Sequence, residues 1–135
     1  MAVVSVTRLR LRSWRFFPAF LRYAIPSNMQ ARRAPGNRAV QTLREPGNVF
    51  WTLSLWESES AVQQFMISGA HGRVMPRLLD WCDEASVARW TQDDDALPTW
   101  QAAHARMMAE GRRSKVRNPS PAQERFEYPA PKASR

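Results

Sequence analysis

At 135 residues, 44% of them hydrophobic and 24% charged, the chain has room for one soluble globular domain, and at this size no disulfide or metal is needed to hold it. No apolar run approaches the ~20 residues of a membrane span. A single cysteine, Cys82, excludes an internal disulfide framework and a four-cysteine zinc site.

The net charge of +8 is unevenly spread: residues 1–44 hold nine arginines and no acid, residues 45–100 nine acids against three arginines, and residues 101–135 eight basic against three acidic residues. An acid-free, arginine-rich start suits a mitochondrial transit peptide. Strand-like alternation from Val3 to Leu11 and the scarcity of serine argue against one, and Arg8, Arg10 and Arg12 interrupt any secretory apolar stretch. The expected compartment is a bacterial-type cytoplasm.

From Val3 to Arg12 the pattern has period two, with Val3, Ser5, Thr7, Leu9 and Leu11 on one face and Val4, Val6, Arg8, Arg10 and Arg12 on the other, which predicts a strand. Ser13 offers an N-cap to a helix carrying Phe17, Phe20, Leu21, Ala24 and Ile25, and Pro26 is expected to end or kink it. Ser27 with Gln30 has capping-box spacing, so a second helical piece is expected to about Ala34. Arg38–Arg44 and Val49–Trp56 read as a hairpin around a type II turn at Pro46-Gly47. Ser58 caps a helix with Ala61, Val62, Phe65 and Met66, closed by Gly69, and a short helical stretch interrupted at Pro76 follows. Glu84–Gln92 is the fourth strand, and a last helix runs from about Pro98 to Gly111.

That order is a ferredoxin-like βαββαβ unit, an α+β fold with an antiparallel sheet and helices on one face, spanning residues 1–112. Residues 113–135 read as a basic, Pro-rich, disordered tail that is removable at little cost. Strand three is apolar on both faces, through Val49, Trp51, Leu53 and Leu55 on one and Phe50 and Trp56 on the other. Something must cover the second face, and a second copy of the chain is the expected cover.

The stretch Phe50-Trp51-Thr52-Leu53-Ser54-Leu55-Trp56-Glu57-Ser58-Glu59, with Phe65-Met66, Ser68-Gly69-Ala70-His71 and Met75-Pro76, resembles the dimeric α+β-barrel proteins related to antibiotic-biosynthesis monooxygenases. With Leu9-Arg10-Leu11-Arg12-Ser13 and Trp81-Cys82-Asp83-Glu84-Ala85-Ser86, the likeness within that superfamily leans toward small spheroidene-monooxygenase-like proteins. It spans about residues 3–92. The resemblance implies a homodimeric barrel that oxidises a hydrophobic small molecule with O2, either with haem or without a cofactor. The alternative is a non-catalytic protein that binds a hydrophobic ligand or haem on the same barrel.

His71 is the residue that would ligate haem under that resemblance, since it is the only histidine in the matched region; a histidine bonding a backbone carbonyl is the plainer reading. Trp51, Trp56, Phe65 and Met75 are candidates for an apolar substrate pocket, although Trp51 and Trp56 lie on opposite faces of one strand. Arg10 and Arg12, on the cationic face of strand one, are candidates for an anionic group; the competing reading pairs that stripe with Glu57, Asp83 or Glu84. No His/Cys/carboxylate cluster has metal-ligand spacing, and Cys82 beside two acids is a poor nucleophile. Five scattered glycines make no nucleotide loop, so neither flavin nor nicotinamide is expected. Strand three lacks the Lys/Arg-Gly-aromatic signature of RNA-recognition modules, so no specific nucleic acid is expected.

Overall fold

The N-terminal alternation forms a central strand, β1 (Ala2–Leu11), in a sheet of order β2-β3-β1-β4-β5. The structure, a computed structural model, describes residues 1–132. β3 (Val49–Trp56) and β4 (Cys82–Gln92) flank β1 antiparallel, and β2 (Asn37–Glu45) pairs antiparallel with β3. Glu45 pairs with Val49 across Pro46-Gly47-Asn48, where Gly47 and Asn48 both take positive φ, 86° and 64°. These are residues that tolerate the left-handed region, so the hairpin is as expected and its loop one residue shorter. Among the described residues, no helix is long and apolar enough to cross a membrane.

α1 runs unbroken from Phe17 to Arg33, so Pro26 does not divide it. Pro26 and Arg22, whose carbonyl loses its donor, are both exposed, and water can satisfy that oxygen. α2 (Glu59–Met66) is capped by Ser58, whose hydroxyl accepts from Ala61 N. Gly69, at φ 54°, then turns the chain into α3 (Gly69–Val74), and α4 (Leu78–Trp81) leads into β4. These four helices share one face of the sheet, as the ferredoxin-like α+β reading requires. Val3 and Trp56 pack there on Val62 of α2, and Leu11 and Cys82 pack there with Phe20 of α1.

The opposite face is covered by the same chain. α5 (Trp100–Glu110), capped by the Thr99 hydroxyl, lays Trp100, Ala103 and Met107 on Val4, Val6, Trp51, Leu53 and Ala88. Both faces of β3 are thus covered within one chain, Trp51 and Leu53 by α5 and Phe50 and Trp56 by α1 and α2, and neither requires the second copy expected as cover.

The segment after Gly111 also departs from expectation, because its described part is docked rather than disordered. β5 (Arg112–Arg113) pairs with Ser86 and Val87, and α6 (Pro121–Arg125) packs against β4. Few large apolar side chains are needed for this, since polar groups hold the segment. Gln123 is buried and spans Ala85 N, Ala85 O and Ser114 O, while Tyr128 is buried beneath the Arg8 guanidinium. Phe126 takes a left-handed φ of 56° at the end of α6, which turns the chain so that its ring meets Tyr128.

Candidate functional site

His71 sits where α1, α2 and α3 meet over the sheet. The α2–α3 turn must reverse within two residues, Ile67 and Ser68, and Gly69 supplies the left-handed conformation. Gln30 of α1 fastens the turn: its Nε2 donates to Ser68 O at 2.7 Å and its Oε1 accepts from His71 N at 3.2 Å. A Cβ on Gly69 would lie 2.9 Å from Gln30 Oε1, so the clamp and the glycine are mutually fitted.

The His71 ring is half-buried. Its Nδ1 lies 3.1 Å from Met66 O, and a carbonyl only accepts, so Nδ1 carries the proton and Nε2 presents a lone pair. Burial pushes the imidazole pKa below its ordinary value, and the Met66 carbonyl opposes this more weakly. The group is thus a neutral base at pH 7. Phe65 packs on it with ring centroids 4.5 Å apart, and Trp56 packs on Phe65 at 5.2 Å. Trp56 Nε1 is itself satisfied, donating to Ser54 Oγ at 2.8 Å. Behind Met66, Arg89 of β4 reaches its sulfur and pairs with Glu59.

Of the residues proposed for an apolar pocket, Trp56 and Phe65 join His71. Met75 begins the 3-10 turn after α3 and is exposed, outside that cluster. Trp51 lies on the other face, fully buried against Trp100 and His104, with its Nε1 donating to Glu45 at 2.9 Å.

Arg10 and Arg12 are engaged elsewhere: Arg10 pairs with Glu84 at 3.2 Å and approaches Asp83, while Arg12 donates to Asp80 O and stacks on Phe16. The ion-pair reading of that stripe is therefore the one realised for Arg10. Arg8 completes it, buried against Glu84. Burial and, secondly, Asp83 push the Cys82 thiol up to about 12, so it is inert. Among the described residues, no group of three His, Cys, Asp or Glu side chains is arranged to hold a metal.

As a ligand donor, His71 has one ring nitrogen bonded to the Met66 carbonyl, as metal-ligating histidines usually do. The space is wrong for the group. Phe65 packs on the imidazole with ring centroids 4.5 Å apart, and Trp56 backs Phe65 at 5.2 Å, so the flank of the ring that a macrocycle would need is filled by side chains. The residues around His71 do not fit a haem.

A family profile described as a domain of unknown function, DUF3291, matches residues 25–134. The chain belongs to that family. The match runs from within α1 through the docked C-terminal segment, so the DUF3291 domain takes in the part that sequence reasoning set aside. A search of curated proteins finds no match.

Solved structures resemble the DUF3291 chain in fold. Rv0793 from Mycobacterium tuberculosis aligns with a TM-score of 0.63 at 14% identity over 71% of this chain and 99% of that one. SnoaB, a cofactor-independent oxygenase from Streptomyces nogalater, aligns at 0.57 with 17% identity over 73% and 98%. A protein from Nitrosomonas europaea assigned to the antibiotic biosynthesis monooxygenases aligns at 0.60 with 14% identity over 68% and 90%. At these identities the likeness shows the fold alone, that of the antibiotic-biosynthesis monooxygenase-like ferredoxin proteins.

Gln30, Arg89 and Met66 were missed as parts of this site. The Ser27/Gln30 spacing was visible, but it signalled a cap within one helix rather than a clamp between two.

Proposed function

We propose that this DUF3291 domain is a cytoplasmic monooxygenase-like protein that oxidises a hydrophobic small molecule with O2, using His71 as a general base. The observation that carries the reading is the Met66 carbonyl 3.1 Å from His71 Nδ1, which makes Nδ1 the donor and leaves Nε2 as the acceptor of a ring packed on Phe65. With no redox cofactor in the reaction, the substrate must itself be the reductant, which points to an electron-rich polycyclic quinol or polyene. For a quinol, Nε2 takes the hydroxyl proton and the resulting anion gives electrons to O2. Where a ring CH2 becomes C=O, two C–H bonds break, one oxygen atom enters the product, and the other leaves as water.

Oxygen uptake with a panel of reduced polycyclic quinols tests this. His71→Gln should lower kcat by about 10²-fold or more with little change in melting temperature, and His104→Gln, on the far face, should retain activity. Absence of oxygen uptake by the wild type, with the quinols still bound, favours the non-catalytic ligand-binding alternative. The closeness to spheroidene-monooxygenase-like proteins, with haem assistance, is the less favoured form of the reading. It demands a Soret band that His71→Ala abolishes.

A homodimer belongs to the same proposal, through a different surface from the covered sheet face. Beyond Val87 the outer edge of β4 has no strand beside it among the described residues, and Glu59, Arg89, Glu110 and Arg112 line the cavity there. A strand edge left open in this way can pair with its own copy about a two-fold axis. Light scattering should give about twice the 15.5 kDa chain mass, and Trp90→Pro should shift it to one; a monomeric wild type contradicts the dimer.

A further inference from the structure

We infer that the outer face of α1 docks on an anionic lipid surface. Positions 18, 22, 25, 29, 32 and 33 recur at three- and four-residue intervals and so fall on one stripe of this helix. All of them are exposed, away from the buried Phe20, Ser27 and Ala31. The stripe carries Ile25, 57% exposed, and Met29, 47% exposed, and just before the helix Trp14 is 77% exposed. Apolar side chains aligned on one exposed helix stripe mark an interaction surface.

The polar residues between them decide what that is. Arg15, Arg22, Arg32 and Arg33 surround the apolar side chains, and residues 1–44 contain no acid at all. Among the described residues none of these four arginines has a carboxylate within ion-pair distance. A second copy of the chain docked through this stripe would bring arginines against arginines. A nucleic acid would satisfy the charge but leave Ile25 and Met29 in water. A bilayer with anionic headgroups serves both, with the arginines at the phosphates and Trp14, Ile25 and Met29 at the acyl boundary. Docked this way, the helix whose Gln30 clamps the His71 turn lies at the membrane surface, where hydrophobic small molecules concentrate. The inference stands whether or not His71 performs chemistry.

The full-length protein is sedimented with vesicles of phosphatidylcholine containing 30% phosphatidylglycerol and with vesicles of phosphatidylcholine alone. Binding is expected to the first and not to the second, and to weaken steeply as salt rises. Ile25→Ser combined with Met29→Ser should weaken it at least ten-fold, and Arg22→Glu should do so independently; both alter exposed positions and leave the melting temperature near wild type. Trp14→Phe should remove most of the blue shift in tryptophan emission on binding. Failure to bind anionic vesicles overturns the inference. So does binding that none of these variants weakens, or tighter binding to a single-stranded oligonucleotide with the lipid affinity unaffected by Ile25→Ser and Met29→Ser.

Discussion

Ending the chain at Arg113 should cost more than about 5 kcal/mol, comparable to the whole stability of an ordinary domain, and leave a protein that no longer unfolds cooperatively. The removed segment buries Tyr128 and packs Phe126 and Val116 on the two sides of the sheet, each apolar side chain contributing roughly 1.5–3 kcal/mol if fully buried. It also takes away the partners of Ala85, whose N–H and C=O bond Gln123 and Ser114, and the Ser120 hydroxyl that donates to Glu84 at 2.7 Å. Each buried group left unpaired adds roughly 1–3 kcal/mol. Calorimetry on the truncated chain checks this, and a melting temperature within a few degrees of wild type contradicts it.

The second large effect lies in the ion pair that the segment roofs. Arg8 and Glu84 are buried, joined at 2.5 Å, with Tyr128 stacked on the guanidinium at 4.2 Å. Glu84→Gln leaves an uncompensated buried cation and should destabilise by about 3–5 kcal/mol. Replacing both residues, as Arg8→Met with Glu84→Leu, should cost much less than the single change. Burial alone would push the Glu84 carboxyl up, but hydrogen bonds from Arg8, Ser120 and Arg10 outweigh it and hold the pKa below its ordinary value of 4.5. A depressed carboxylate binds fewer protons folded than unfolded. Its contribution is therefore complete above about pH 4.5 and fades as pH falls through the folded value. Melting temperature followed from pH 7 to pH 3 should fall for the wild type and fall less for the Arg8→Met/Glu84→Leu pair.

Local alternation and caps made the βαββαβ unit legible. Val3–Leu11, Val49–Trp56 and the Ser58 cap each state their conformation within a few residues. That both faces of strand three need cover was legible, from Trp51 and Leu53 on one side and Phe50 and Trp56 on the other, but the solution was not. α5 was predicted, yet nothing in its spacing says which face of the sheet it will choose. The segment after Gly111 failed for a different reason. Apolar content does not report its burial, because Gln123, Ser120 and Tyr128 dock by satisfying groups of β1 and β4 that are remote in sequence. A lone glutamine carries no local sign that it will bridge Ala85 and Ser114.

In the site, His71, Phe65 and Trp56 were legible because a histidine after a glycine turn, with aromatics one helix and one strand away, all fall on the helix-side face. Trp51 and Met75 were not separable from them by residue type. The pairing of Arg10 with Glu84 was one of two readings, and only the β1–β4 register, which sets those two residues opposite each other, decides between them.

The central claim is that His71 is a neutral base with Nε2 open to a ligand. Long-range proton–nitrogen correlation spectra of nitrogen-15-labelled protein, with His104→Gln to leave one histidine signal, read both ring nitrogens directly. At pH 7 the account predicts a protonated Nδ1 and an unprotonated Nε2, titrating below 6.5, and a proton gained at Nε2 when a reduced quinol is added without oxygen. A ring already protonated on both nitrogens at pH 7, or one protonated on Nε2 alone, contradicts it.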